Sequence, residues 1–178
     1  DYIAVITSID PQSPDISIGV ENPKEIRDKE DISDDTRFGA GDQGMMFGYA
    51  TNETENLIPL TLDIAHKLVY ELSELRKNTN LMSYLRPDSK SQVTIEYSDD
   101  HKPVRIDSIV VSTQHDEFIL GGGNADKEMQ ARIKADIEKY LIPAVKNKYS
   151  KQIQNLFDSN YTLHVNPTGS FIIGGPHG

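Results

Sequence analysis

The chain has 178 residues, enough for one ordinary domain, or for one domain plus part of another, with a real core. Its 28 acidic against 18 basic residues give a formal charge of −10, which excludes a broad nucleic-acid or anionic-membrane surface but not a small phosphate pocket. It contains no cysteine, hence no disulfide framework or thiolate metal site, in keeping with a reducing cytoplasm, and no apolar run approaches the ~20 residues that span a bilayer.

Tyr2–Ser8 (YIAVITS) is rich in β-branched and apolar residues and predicts a buried strand, ended by Asp10-Pro11 and Ser13-Pro14. The stretch 12–35 is polar and dense in charge, and reads as a mobile surface loop, either an ordinary connection or a lid. Phe38–Thr51 (FGAGDQGMMFGYAT) follows. Glycine permits backbone conformations and close approaches that a side chain blocks, so the stretch reads as a backbone cradle carrying Asp42 and Gln43, followed by a buried segment. The plainer alternative is a glycine turn feeding a core strand.

Asn52–Asn56 is a polar connection. Thr61–Lys77 predicts a helix, with Leu62, Ala65, Leu68, Val69, Leu72 and Leu75 on its apolar face, Glu71 and Lys67 on its solvated face, and His66 structural or solvent-facing. Leu85–Gln92 (LRPDSKSQ) leads into a strand in which Val93, Ile95 and Tyr97 alternate with polar residues. Ser98–Lys102 is a turn, and Val104–Ser112 returns to complete a hairpin. Lys90 then sits at the mouth of a strand.

Gly121-Gly122-Gly123 lacks the Lys-Ser/Thr of a phosphate loop and reads as a flexible entry to the next helix, with Asn124 as N-cap. Asp126–Lys148 carries Met129, Ile133, Ile137 and Leu141 at steps of four, interrupted by Pro143. A short helix within Tyr149–Asp158, a strand at Tyr161–Val165, a turn at Asn166–Gly169 and a further strand from Phe171–Ile173 close the chain. The order predicts an α+β fold with mixed or antiparallel sheet and helices packed on one face.

GAGDQGMMFGYATNE resembles the glycine-rich motif of S-adenosylmethionine synthetases (methionine adenosyltransferases). PQSPDISIGV (from Pro11), LRPDSKSQ, STQH (from Ser112) and NPTGSFIIGG (from Asn166) are similar to further blocks of that family, in its order. Five ordered blocks are more specific than any single one.

The resemblance implies an internal segment of a longer enzyme built from three α/β repeats about a pseudo-threefold axis. In that frame 1–11 is the end strand of one repeat, 12–35 a gating loop, 36–52 the cradle and strand, and 53–178 a repeat unit carrying ATP contacts. It implies that methionine sulfur attacks C5′ of ATP, giving S-adenosylmethionine, phosphate and diphosphate.

By resemblance, Gln12 contacts substrate from a gating loop that includes Ser13, Pro14, Asp15, Ile16 and Gly19. Asp42 serves methionine or ribose. Asp88, Ser89, Lys90, Ser170 and Phe171 contact ATP, with Lys90 toward the phosphates and Phe171 under adenine. Ser170 stands where relatives usually carry Arg. Lys90 and Asp42 are the residues placed closest to catalysis.

Mg2+ and K+ are implied as cofactors, with ligands outside this segment. Homodimers or homotetramers with shared sites are implied too, Gln12 and Asp42 facing the partner's Lys90 and the partner's Phe171. Two other classes compete: a non-catalytic acidic interaction module, and a different nucleotide enzyme, which would need a Walker or dinucleotide motif that the chain lacks.

Overall fold

The computed structural model describes residues 4–21, 44–121, 123–158 and 160–175. The chain divides into two units, with the boundary between Tyr49 and Ala50.

In the first unit the described residues form one helix, α1 (Pro14–Glu21), and otherwise extended or irregular chain. The helix begins where a loop was predicted. Pro14 suits the first helical position, Asp15 favours the positive end of the helix dipole, and the Ser13 carbonyl accepts the Ser17 N–H at 2.9 Å. The strand predicted over Tyr2–Ser8 is absent among its described residues, and Val5 and Ile6 are exposed. The buried segment predicted after the glycine cradle is likewise not seen. Met45, Met46 and Phe47 are 82%, 90% and 92% exposed. A strand is stabilised by a neighbour that takes up its N–H and C=O groups and covers its apolar face; the described part of this unit holds no ladder.

The second unit carries the core. Its entry is ordered by short-range bonds. Thr54 Oγ1 donates to the Ile58 carbonyl and accepts the Ile58 N–H, and Glu53 Oε2 accepts the otherwise free Leu60 N–H at the start of the next helix. That helix, α2 (Leu60–Asn78), buries Leu60, Ile64, Leu68, Leu72 and Leu75. The apolar stripe is rotated from the predicted one, because Leu62 is exposed while Asp63 and Glu71 are buried. Both acids have partners. Asp63 Oδ2 accepts from Lys67 at 2.5 Å and from the Tyr149 hydroxyl at 2.6 Å, and Glu71 pairs with Lys148 at 2.7 Å. His66 faces solvent.

The sheet has the order β1-β2-β3. β1 (Leu85–Tyr97) and β2 (Pro103–His115) form an antiparallel hairpin, and β3 (Thr162–Val165) runs parallel to β2. β1 begins eight residues before the predicted strand, so Lys90 lies within it, opposite Ser112. Pro87 is tolerated because β1 is an edge strand and its register shifts between Leu85 and Ser89. Alternate residues of β2 (Ile109, Val111, Thr113 and His115) face the core. Ser91 Oγ donates to the Ala65 carbonyl at 2.7 Å and ties β1 to α2.

The long second helix is observed in three parts. α3 (Ala125–Asp136) follows Asn124, which occupies the N-cap position without a side-chain cap bond. A π-turn, Ile137–Leu141, leads into α4 (Ile142–Lys146), and the Ile142 N–H reaches the Ile137 carbonyl. Pro143 has no N–H, and its ring crowds the preceding turn, which the wider turn relieves. α5 (Lys151–Gln154) and a 3-10 turn (Asn155–Asp158) precede β3. The strand predicted from Phe171 is instead irregular chain bonded to the end of β2.

Candidate functional site

The polar cluster begins at the left-handed turn after β3. Asn166 has φ +42°, and its carbonyl accepts the Gly169 N–H at 2.8 Å. Asparagine tolerates this conformation, and Gly169 at φ +99° completes the turn. The turn carries Ser170 and Phe171 back to the end of β2. There the His115 N–H donates to the Phe171 carbonyl at 2.9 Å, and the Phe171 N–H donates to His115 Nε2 at 3.2 Å. One residue thus holds both main-chain polar groups of Phe171. Gln114 Nε2 donates to the Ile172 carbonyl at 2.9 Å and continues the clamp.

Four of the predicted ATP-contacting residues are tied together here. Lys90 Nζ stands 5.4 Å from the centroid of the Phe171 ring, within cation–π range. Asp88 Oδ2 accepts the Gly175 N–H at 3.0 Å. A Cβ on Gly174 would lie 2.8 Å from Asp88 Oδ2 and 2.9 Å from Phe171 Cε2, so only glycine allows the two side chains to close on this backbone. Ser170 Oγ donates to Asp126 Oδ1 in the first turn of α3 and accepts from Gln130 Nε2 at 3.4 Å. Ser89 lies beside them in β1, opposite Thr113.

The other predicted residues do not join this cluster. Asp42 lies outside the described residues. Gln12 and Ser13 are exposed just before α1, and Pro14, Asp15, Ile16 and Gly19 belong to that helix in the first unit.

Sequence reasoning assigned no role to His115, Gln130, Asn166 or Gly174. His115 falls inside the STQH block and Asn166 and Gly174 inside NPTGSFIIGG, and that is the signal which could have singled them out. Gln130 sits on a helix face with no motif.

A separate cleft of about 380 Å3 is lined by Asn56, Asp63, Lys67, Lys148 and Tyr149, among others. Three of its lining charges are paired, Asp63 with Lys67 and Lys148 with the neighbouring Glu71, and Glu53 accepts the Leu60 N–H. Among the described residues no group of three or more His, Asp or Glu is placed to hold a metal ion, and no helix is long and apolar enough to cross a membrane.

Fold and site together define an α+β domain that sets an ammonium group against an aromatic ring at the end of a mixed sheet. Residues 37–171 match the model of the S-adenosylmethionine synthetase central domain. The S-adenosylmethionine synthases of Parabacteroides distasonis and Porphyromonas gingivalis are 58% and 56% identical to the chain; in each case the alignment covers 98% of this chain and 40% of the relative. That of Flavobacterium psychrophilum is 53% identical over 98% of this chain and 38% of its own length. The chain belongs to the S-adenosylmethionine synthetase family, and it spans about 40% of the length of the curated relatives it matches.

Proposed function

We propose that this chain supplies the ATP-contacting half of a methionine adenosyltransferase site. The observation that carries the reading is the pairing of Lys90 with Phe171, whose ring closes with Asp88 on the Gly174 backbone, on residues the family blocks mark for ATP. A flat apolar ring suits a purine face, and a neighbouring cation suits a phosphate chain.

In the proposed reaction the methionine sulfur lone pair forms a bond to C5′. The C5′–O5′ bond breaks, and triphosphate leaves with the electron pair. Water then cleaves triphosphate to diphosphate and phosphate. A thioether carries no proton to remove, so the first step needs no general base. Charge grows positive on sulfur and more negative on the leaving group, and Lys90 is the residue here suited to stabilise the latter. Asp42 and Gln12 would serve methionine and ribose. Mg2+ and K+ are the metals the reading implies; the described residues provide no ligand cluster for them, so no step is assigned to a metal held by this segment. A cytoplasmic homodimer or homotetramer with sites shared between chains completes the proposal.

The test uses a full-length chain containing this segment, assayed for S-adenosylmethionine with ATP, methionine, Mg2+ and K+. Lys90→Ala is expected to lower kcat/KM for ATP by about 100-fold, the scale of losing one aligned charge contact. Full activity of Lys90→Ala, or no product from the parent, overturns the reading. The 178-residue chain alone is expected to form no product.

A further inference from the structure

We infer that His115, fixed in one tautomer by a hydrogen-bond relay through Gln130 and Asn166, is the positioning residue for the Ser170–Phe171 segment. This rests on the adenine-platform reading of Phe171 given above.

The relay has its direction set at both ends by groups that cannot reverse. At one end is the Thr113 N–H, which can only donate, and it reaches Asn166 Oδ1 at 2.8 Å. Asn166 Nδ2 must therefore point the other way, and it donates to Gln130 Oε1 at 3.0 Å. That leaves Gln130 Nε2 as a donor, 3.2 Å from His115 Nε2. His115 Nε2 must accept, so the ring proton sits on Nδ1, which lies 2.9 Å from the Asp116 carbonyl. A carbonyl can only accept, and the chain closes without a conflict.

The same Nε2 lone pair receives the Phe171 N–H. The Gln130 amide also reaches Ser170 Oγ, so one side chain touches both the histidine and the residue before Phe171. His115 is fully buried, sits on the last residue of β2 and packs edge-on against Phe118, with ring centroids 6.3 Å apart. Its position is thus rigid.

A histidine satisfied only for the sake of the core would need one acceptor and one donor anywhere. This one shares its single accepting lone pair between the Gln130 amide and the peptide N–H of the platform residue. Holding that peptide fixes the ring before ligand arrives, which lowers the ordering cost of binding.

The substitutions that separate the roles follow from side-chain reach. Asparagine places its carboxamide near the former Nδ1 and leaves the Phe171 N–H without an acceptor. Glutamine can place Oε1 where Nε2 was. In the full-length chain, His115→Asn is expected to raise KM for ATP about tenfold, the factor one lost buried hydrogen bond carries, with KM for methionine within about twofold. Hydrolysis of inorganic tripolyphosphate, which has no adenine, should change by no more than about twofold. His115→Gln should recover most of the ATP affinity, and Gln130→Met, which leaves His115 in place, should raise KM for ATP about threefold.

Equal losses toward ATP, methionine and tripolyphosphate in His115→Asn, or no rescue by His115→Gln, would reduce His115 to a core residue and overturn the inference. So would unchanged KM for ATP in both His115→Asn and Gln130→Met. Phe171→Ala separates the two levels. If it leaves KM for ATP unmoved, the platform reading itself fails; if it raises KM while the His115 and Gln130 variants do not, only the positioning inference fails.

Discussion

Two apolar stretches of the chain have opposite fates. Met45-Met46-Phe47 is almost entirely exposed, while Ile106, Ile109 and Val111 of β2 are fully buried. Both look like strands in sequence. β2 has β1 on one edge, β3 on the other and α2 across the face of the β1–β2 hairpin, so its backbone groups and its side chains are both taken up. The described part of the first unit offers residues 44–49 no such ladder. β-propensity measures fit to a half-buried pleated surface, and it is realised only where that surface exists.

The largest effects should come from the second unit. Leu68→Ala removes a fully buried side chain from α2 and should lower unfolding stability by about 3 kcal/mol, against about 0.5 kcal/mol or less for Phe47→Ala. Urea unfolding of the two variants measures the contrast. Comparable losses would mean that residues 44–49 have a buried partner after all.

Next in size is Asp63→Ala. It strips the Tyr149 hydroxyl and Lys67 of a shared, buried acceptor. Lys67 is partly exposed and can turn to water, so the expected loss is about 2 kcal/mol, below the range for a wholly buried pair. Asp63→Asn keeps an acceptor for Tyr149 and should lose less. The order of the two in thermal melts tests whether this buried carboxylate is held by hydrogen bonds or by charge.

Gly174→Ala brings the comparison to the site. The added methyl would meet Asp88 and Phe171 closer than carbon atoms pack, at an expected cost of about 1–2 kcal/mol. In the full-length enzyme, KM for ATP should rise more than KM for methionine. An unchanged KM for ATP would show that Asp88 and Phe171 can part without consequence.

Periodicity made the hairpin and both long helices legible, because 3.6- and 2-residue patterns come directly from which faces are buried. It misplaced the stripe of α2, since Asp63 and Glu71 count as polar in sequence while Tyr149 and Lys148, 86 and 77 positions further on, make their burial possible. It also missed α1 and the early start of β1. Pro14 read as a breaker and Pro87 as part of a block leading into a strand, yet one occupies a helix's first turn and the other an irregular edge strand. Lys90 and Phe171 stand in two of the ordered blocks, and the fold brings them together. Gln130 stands in none of them, and its bonds to Asn166 and His115 arise only where the folded sheet brings these within reach.

The last prediction concerns pH, and its sign follows from two phenols, Tyr84 buried and Tyr149 partly so. Burial, reinforced by a bonded carboxylate, raises the pKa of Tyr84 beside Asp136 and of Tyr149 beside Asp63. The unfolded chain releases these protons near the ordinary tyrosine value of about 10. Above that pH the folded state holds protons that the unfolded state has lost, so stability is fully present below about pH 10 and falls as pH rises through the window up to the raised folded values. Each phenol can contribute a slope of up to about 1.4 kcal/mol per pH unit. Lys148, raised mainly by its bond to Glu71, adds a loss of the same sign. Tyr84→Phe combined with Tyr149→Phe should therefore start less stable at pH 8, having lost two hydrogen bonds, and fall less steeply between pH 10 and 11.5. Parallel alkaline limbs for parent and double variant would assign the loss to Lys148 and the other amines, and the two phenols would then ionise without unfolding the second unit.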